Sequence, residues 1–182
     1  MSRLSEYFRK MAGTSISPPG VDLQEMLVSG LGGFVGIGLL ALLESHLVAG
    51  TDLVLLIGSF GASAVLVYGA VKSPLAQPRN VLGGHLLSAL VGVSAVKLLG
   101  PHTWLTPALA VGLSLILMHA TRTLHPPGGA TALIAVMGGP KIQQLGYLYV
   151  LLPVGAGAVL LLAVALLFNN LIPRRRYPEF WW

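Results

Sequence analysis

The side chains able to do chemistry in this sequence are few. His85, His119 and His125, the cations Arg79 and Arg122, the amide Asn80 and the hydroxyls of Ser63 and Thr131 all sit in or beside otherwise apolar stretches. Cysteine is absent, which excludes disulfides and thiolate metal sites. Carboxylates are missing from those stretches too: Glu25 flanks the first, and Glu44 and Asp52 fall in the loop that follows it. Histidines without carboxylates are poorly equipped to complete a metal site or to work as supported general bases, so neither metal nor cofactor is expected. Imidazole, guanidinium and hydroxyl donors suit a small anion instead, and histidine can also take up a proton in the physiological range.

The backbone around these side chains points the same way. Proline lacks an amide hydrogen and restricts the residue before it, so Leu124-His125-Pro126-Pro127-Gly128-Gly129 should break a helix and start a short new one, from Gly129 onward. Ser59-Phe60-Gly61-Ala62-Ser63 is expected to be a second break. A helix start offers free amides and partial positive charge, stabilising an anion by up to about 2 kcal/mol when partly buried. Unwound backbone is tolerated in a bilayer only where it is buried or lines a cavity. The candidate binding set is Gly61, Ala62, Ser63, Arg79, Asn80, His85, Arg122, His125, Gly128, Gly129, Ala130 and Thr131, with Pro126 and Pro127 as the structural motif. Each has a plainer alternative: interfacial snorkelling and capping for Arg122 and His125, a carbonyl-bonded packing role for His85, and an interfacial position for His119.

The elements that must hold these residues are transmembrane helices. Of 182 residues, 54% are hydrophobic and 9% charged, too little polar material to cover a water-facing surface. Mean hydropathy is +0.80, and 23 glycines and 12 prolines fit a transporter or channel. A hydrocarbon core about 30 Å thick needs roughly 20 residues of helix. The uncharged runs Met26–Leu43, Leu53–Val71, Val81–Val96 with a snorkelling Lys97, Trp104–Thr121, a short Pro126–Gly139, and a last helix within Ile142–Pro173 kinked at Pro153 make six segments of an all-α membrane protein. The even count places Arg174, Arg175 and Arg176 with Arg3, Arg9 and Lys10 on the cytoplasmic side, joined by Lys72 and Arg79, with Lys141 the one misplaced charge. Reading Pro126–Gly139 as re-entrant would move the arginine cluster outside.

Residues 1–25 are thus a cytoplasmic segment, 26–173 the single transmembrane domain, and 174–182 a cytoplasmic tail with Trp181 and Trp182 as interface anchors. Leu4–Met11 either lies along the membrane or frays. No apolar leader precedes the first run, and the +5 net charge is not gathered into a nucleic-acid patch.

Gly61-Ala62-Ser63-Ala64-Val65-Leu66 also matches Gly129-Ala130-Thr131-Ala132-Leu133-Ile134, 68 positions later. With three segments per half, residues 26–99 and 104–173 would be inverted repeats, with helices broken at Gly61 and at His125–Gly129. The competing explanation is close packing by small residues, which also makes Gly30–Gly38 and Gly155–Gly157 candidates for contacts within a protomer or in a homo-oligomer.

Gln77-Pro78-Arg79-Asn80-Val81-Leu82-Gly83-Gly84-His85, together with Leu124-His125-Pro126-Pro127-Gly128-Gly129-Ala130-Thr131-Ala132-Leu133, resembles the HPP family of integral membrane proteins, named for that His-Pro-Pro. The likeness extends from about Tyr7 to the last helix. It implies transport of nitrite or a similar small anion, the activity associated with plastid and cyanobacterial members, in a bacterial or cyanobacterial plasma membrane. No appended soluble regulatory domain is expected. The membrane potential opposes anion uptake by about 2.3 kcal/mol per charge per 100 mV, so uptake calls for a steep gradient or a coupled proton, for which His85 and His125 are the candidates. A passive anion channel and an intramembrane enzyme using His85, His119 and His125 are the alternatives.

Overall fold

The computed structural model describes residues 3–13, 15–17, 19–51 and 53–182; Asp52, one of the two acids expected in the first loop, lies outside them. The described residues form eight α-helices and no strand: α1 Arg3–Lys10, α2 Leu23–Leu43, α3 Gly58–Ala64, α4 Pro78–Leu99, α5 Leu105–Ala120, α6 Pro126–Met137, α7 Gly139–Leu145 and α8 Ala156–Leu171. Wider π turns extend α2 to Val48 and α3 to Gly69, and another precedes α8 from Val150. With these extensions, Leu23–Val48, Pro78–Leu99 and Val150–Leu171 are long and apolar enough to cross a membrane, while the helices Gly58–Gly69, Leu105–Ala120 and Pro126–Met137 are apolar but shorter. Large apolar side chains face outward, Phe34 at 76% exposure and Leu167 at 73%, while Ser63, His85, His125, Thr131 and Asn169 are buried. That inversion is what hydrocarbon solvent demands.

Several expectations change in detail. Leu53–Val71 is not one helix: residues 53–57 are extended and α3 begins at Gly58. The Glu44 carboxylate accepts the backbone N–H groups of Leu55, at 3.0 Å, and Leu56, satisfying amides that an extended chain inside a bundle would otherwise leave open. Gly61 therefore does not break a helix; it lies within α3, three residues after the actual start. The second short helix starts at Pro126 rather than Gly129, because both prolines are accommodated in its first turn while His125 stays extended at φ −141°, ψ 104°. Near Pro153 the chain kinks, with Leu152 outside helical geometry at φ −132°, ψ 120°. The repeat has a local counterpart: the seven residues of α3 plus its five-residue π turn equal the twelve of α6, and the two begin 68 positions apart.

The glycine strip on α2 is used within the protomer. Gly32 and Gly36 admit the Tyr68 ring, and Gly157 on α8 admits Phe60, whereas Gly30, Gly33 and Gly38 meet nothing. On α1, Glu6 and Lys10 pair at 3.3 Å and no residue is buried.

Arg175 does more than mark an end of the bundle. Its guanidinium, 4% exposed, pairs with Glu25 and donates to Ser29 Oγ at 2.8 Å and to Asn169 Oδ1 at 2.8 Å, and Asn169 Nδ2 donates to Val67 O at 2.9 Å. The start of α2 and the ends of α3 and α8 are thereby tied together at one end of the bundle. Losing a charge-assisted hydrogen bond costs about 1.5–3 kcal/mol, reduced here because Glu25 is partly exposed. Arg175→Gln should lower the thermal unfolding midpoint in detergent by several degrees, and Arg176→Gln, whose side chain lies at the surface, should leave it unchanged.

Candidate functional site

Three elements converge on one point. On α3, Ser59 and Ser63 are four residues apart and so share a face. On α4, Pro78 starts a helix that carries His85 about two turns in. His125 is the residue immediately before α6, and Thr131 sits on its second turn.

Close backbone approach makes the meeting possible. A Cβ on Gly84 would lie 2.5 Å from His125 Cβ and 3.0 Å from the Thr123 carbonyl; one on Gly128 would lie 2.8 Å from the Gly84 carbonyl and 2.8 Å from Ser88 Oγ; one on Gly92 would lie 2.7 Å from the Ala132 carbonyl. Bare glycine lets α4 and α6 touch through their main chains, as small residues do between membrane helices. The two imidazoles end with centroids 4.9 Å apart, and Phe60 meets His85 edge-on at 5.3 Å.

Ser63 Oγ lies 2.7 Å from His85 Nε2 and 2.8 Å from His125 Nε2, bridging the rings. His85 Nδ1 is 2.7 Å from Thr131 Oγ1, which also donates to Ser59 Oγ at 2.9 Å and reaches the Pro127 carbonyl at 3.2 Å. At the other end His125 Nδ1 donates to the Leu75 carbonyl at 2.8 Å. Ser59, Ser63, His85, His125 and Thr131 are each no more than 1% exposed. The pairs Ser59–Thr131 and Ser63–His125 show that α3 and α6 run antiparallel side by side, their starts at opposite ends of the hydrogen-bonded row rather than head to head.

Other candidates hold this arrangement without joining it. Arg79 Nη2 donates to the Thr121 carbonyl at 2.7 Å and Asn80 Nδ2 to the Leu124 carbonyl at 2.8 Å, so both brace the turn that delivers His125. Arg122 is an exposed residue of that turn, with φ +56°. Gly61 and Ala62 lie on the exposed face of α3; Gly129 and Ala130 are half-buried, and a Cβ at Gly129 would meet only Val111, at 4.0 Å. His119 is exposed on α5 and is not among the hydrogen-bond partners of the other two histidines. No cluster of three or more metal-ligating side chains forms among the described residues.

Four participants escaped the sequence reading. Ser59 had a usable signal, its four-residue spacing from Ser63. The Leu75 carbonyl had none, being main chain. Tyr149, fully buried, donates to the Thr131 carbonyl at 3.0 Å. Tyr177, in the segment after α8, donates to the Ala76 carbonyl at 2.6 Å, and Gln77 Oε1 accepts the Glu179 amide at 2.8 Å, bracing the Ser73–Gln77 turn that presents Leu75. Burial pushes the Tyr177 phenol up from its ordinary range, so it remains a donor across physiological pH.

The family model for the HPP transmembrane region matches residues 18–178. A transmembrane protein of Dictyostelium discoideum is 46% identical over 180 residues, covering 97% of this chain and 58% of its own length. Another transmembrane protein of the same organism is 45% identical over 183 residues, covering 97% and 64%. The chain thus spans about three fifths of the length of these relatives. No solved structure matches it. With the family match reaching from before α2 to beyond α8, the chain belongs to the HPP family of integral membrane proteins.

Proposed function

We propose that this chain carries a small monovalent anion across its membrane, with nitrite as the candidate substrate, bound beside the Ser63, His85, His125 and Thr131 cluster between the starts of α3 and α6. The observation that carries this reading is a fully buried, carboxylate-free set of imidazoles and hydroxyls held between two short antiparallel helices. Discontinuous helices with starts near the bilayer midplane are how many carriers hold small ions. The equal lengths and opposed directions of α3 and α6 support an inverted pair of three-segment halves. Closure of the cluster on all sides favours a carrier that must open over a standing pore. His119, exposed on α5 and hydrogen-bonded to neither of the other two imidazoles, gives no support to an enzyme site built on His85, His119 and His125. Both termini are placed on the cytoplasmic side of the membrane, the side that basic flanks favour.

The test is nitrite uptake into proteoliposomes at controlled pH and potential, with empty liposomes subtracting the leak of nitrous acid. Uptake that saturates with nitrite concentration is the expected result. Uptake rising linearly without saturation would replace the carrier by a channel. Uptake no faster than in empty liposomes would remove nitrite as the substrate.

A further inference from the structure

Between two backbone carbonyls, Pro127 O and Leu75 O, five hydrogen bonds run in one row through Thr131, His85, Ser63 and His125, at 3.2, 2.7, 2.7, 2.8 and 2.8 Å. A carbonyl only accepts, so every bond in the row needs its own proton. Four neutral side chains bring four. The row is therefore one proton short when uncharged, with two lone pairs facing each other at one of its bonds. The neutral form closes from Thr131 to Leu75 when the Thr131 hydroxyl leaves Pro127 and Ser59 and donates to His85 Nδ1, which reverses every side-chain donor from Thr131 to Ser63. In that form His85 carries its proton on Nε2; in the charged form His85 carries it on Nδ1, and His125 is doubly protonated and donates from both nitrogens.

The charged form is fully hydrogen-bonded but places a positive charge where nothing compensates it. The titratable neighbours of the row, from every element packed on it, are the two imidazoles themselves and Tyr149, whose hydroxyl is engaged by the Thr131 carbonyl. The Arg79 guanidinium is turned to the Thr121 carbonyl, and the hydrogen bonds of the row run to hydroxyls, imidazoles and carbonyls, with no carboxylate among them. A buried charge without a partner is strongly disfavoured, and a bound monovalent anion removes that penalty. Proton and anion then favour each other's binding equally, as linkage requires.

Resting on the carrier reading, we propose that Thr131, His85, Ser63 and His125 form a one-proton relay that charges only together with a bound monovalent anion, so that one proton accompanies each anion. Ser63 is the shared element, because its single hydroxyl hydrogen can serve only one imidazole at a time. The proton comes from the aqueous phase on the loading side and leaves with the anion on the other; no bond other than N–H and O–H changes.

The test uses the full chain in lipid bilayers with His46→Gln, His102→Gln and His119→Gln, three exposed positions, so that only His85 and His125 report. Nitrogen-15 solid-state NMR without nitrite should show two neutral rings, His85 protonated on Nε2 and His125 on Nδ1. Sodium nitrite should raise the pH at which His125 becomes doubly protonated while His85 moves its proton to Nδ1. Protonation at the same pH with and without nitrite, or simultaneous charging of both rings, would overturn the relay. In proteoliposomes the companion readout is one proton per nitrite with no dependence on membrane potential. Ser63→Ala should lower that ratio at least about tenfold, and Ser63→Thr, which keeps the hydroxyl, should restore it. Nitrite flux without the NMR switch sinks the relay and leaves the carrier; the switch without flux leaves the relay and sinks the carrier.

Discussion

Nitrite flux through His125→Ala protein should fall to the level of empty liposomes, a loss of at least about 100-fold. The substitution removes the group that joins the Ser73–Gln77 turn to the Ser63 hydroxyl, leaving the partly buried Leu75 carbonyl and one side of Ser63 without that partner. Each such loss costs about 1–3 kcal/mol, and the sum corresponds to two or more powers of ten in the population of the correctly assembled cluster. The same change also removes the ring that would take up a proton. His125→Asn separates the two effects: its amide nitrogen stands near the place of Nδ1 and can still donate to Leu75, so thermal stability should recover part of the way, while flux stays at background. Native flux in His125→Asn protein would remove the imidazole from the mechanism and leave His125 as a packing residue.

Gly84→Ala should be nearly as damaging, through geometry alone. The added methyl would lie 2.5 Å from His125 Cβ and 3.0 Å from the Thr123 carbonyl, which are backbone-fixed atoms that no side-chain rotation can move aside. α4 and α6 would have to separate, at a cost of about 1–3 kcal/mol or more for an overpacked contact. The His85–Thr131 and His85–Ser63 bonds, both 2.7 Å, span that gap and would lengthen with it. Flux should drop by more than about tenfold, together with a fall of several degrees in the unfolding midpoint. Gly129→Ala is the control, since its methyl would meet only Val111 at 4.0 Å and alanine is the better helix former by about 0.5–1 kcal/mol. It should unfold no earlier than the native protein and carry nitrite as fast. If Gly84→Ala behaves like Gly129→Ala, direct α4–α6 contact does not hold the cluster.

The contrast between those two glycines shows where sequence reasoning stopped. The HPP-Gly-Gly motif marks both Gly128 and Gly129 as special, and only the packing says that Gly128 faces the Gly84 carbonyl while Gly129 does not. Arg79, Asn80 and Arg122 stood out as polar groups beside apolar runs, yet the first two are spent on carbonyls of the turn before α6 and the third is at the surface. Arg175 was read only as a sign of sidedness, and it is the buried clamp between α2 and α8.

By itself the sequence determined that this is an all-helical membrane protein, and it marked Leu124-His125-Pro126-Pro127-Gly128-Gly129 as the place where a short helix starts, though three residues late. Those are local properties, because transfer into hydrocarbon sums residue by residue and proline acts on its own turn. The tertiary structure alone decided which polar groups meet. Ser63 finds His85 22 positions away and His125 62 positions away, and the Leu75 carbonyl sets the far end of the row. A hydrogen bond depends on placement to a fraction of an ångström, and that placement comes from bare glycine backbones in contact between α4 and α6, which no pattern along a single chain records.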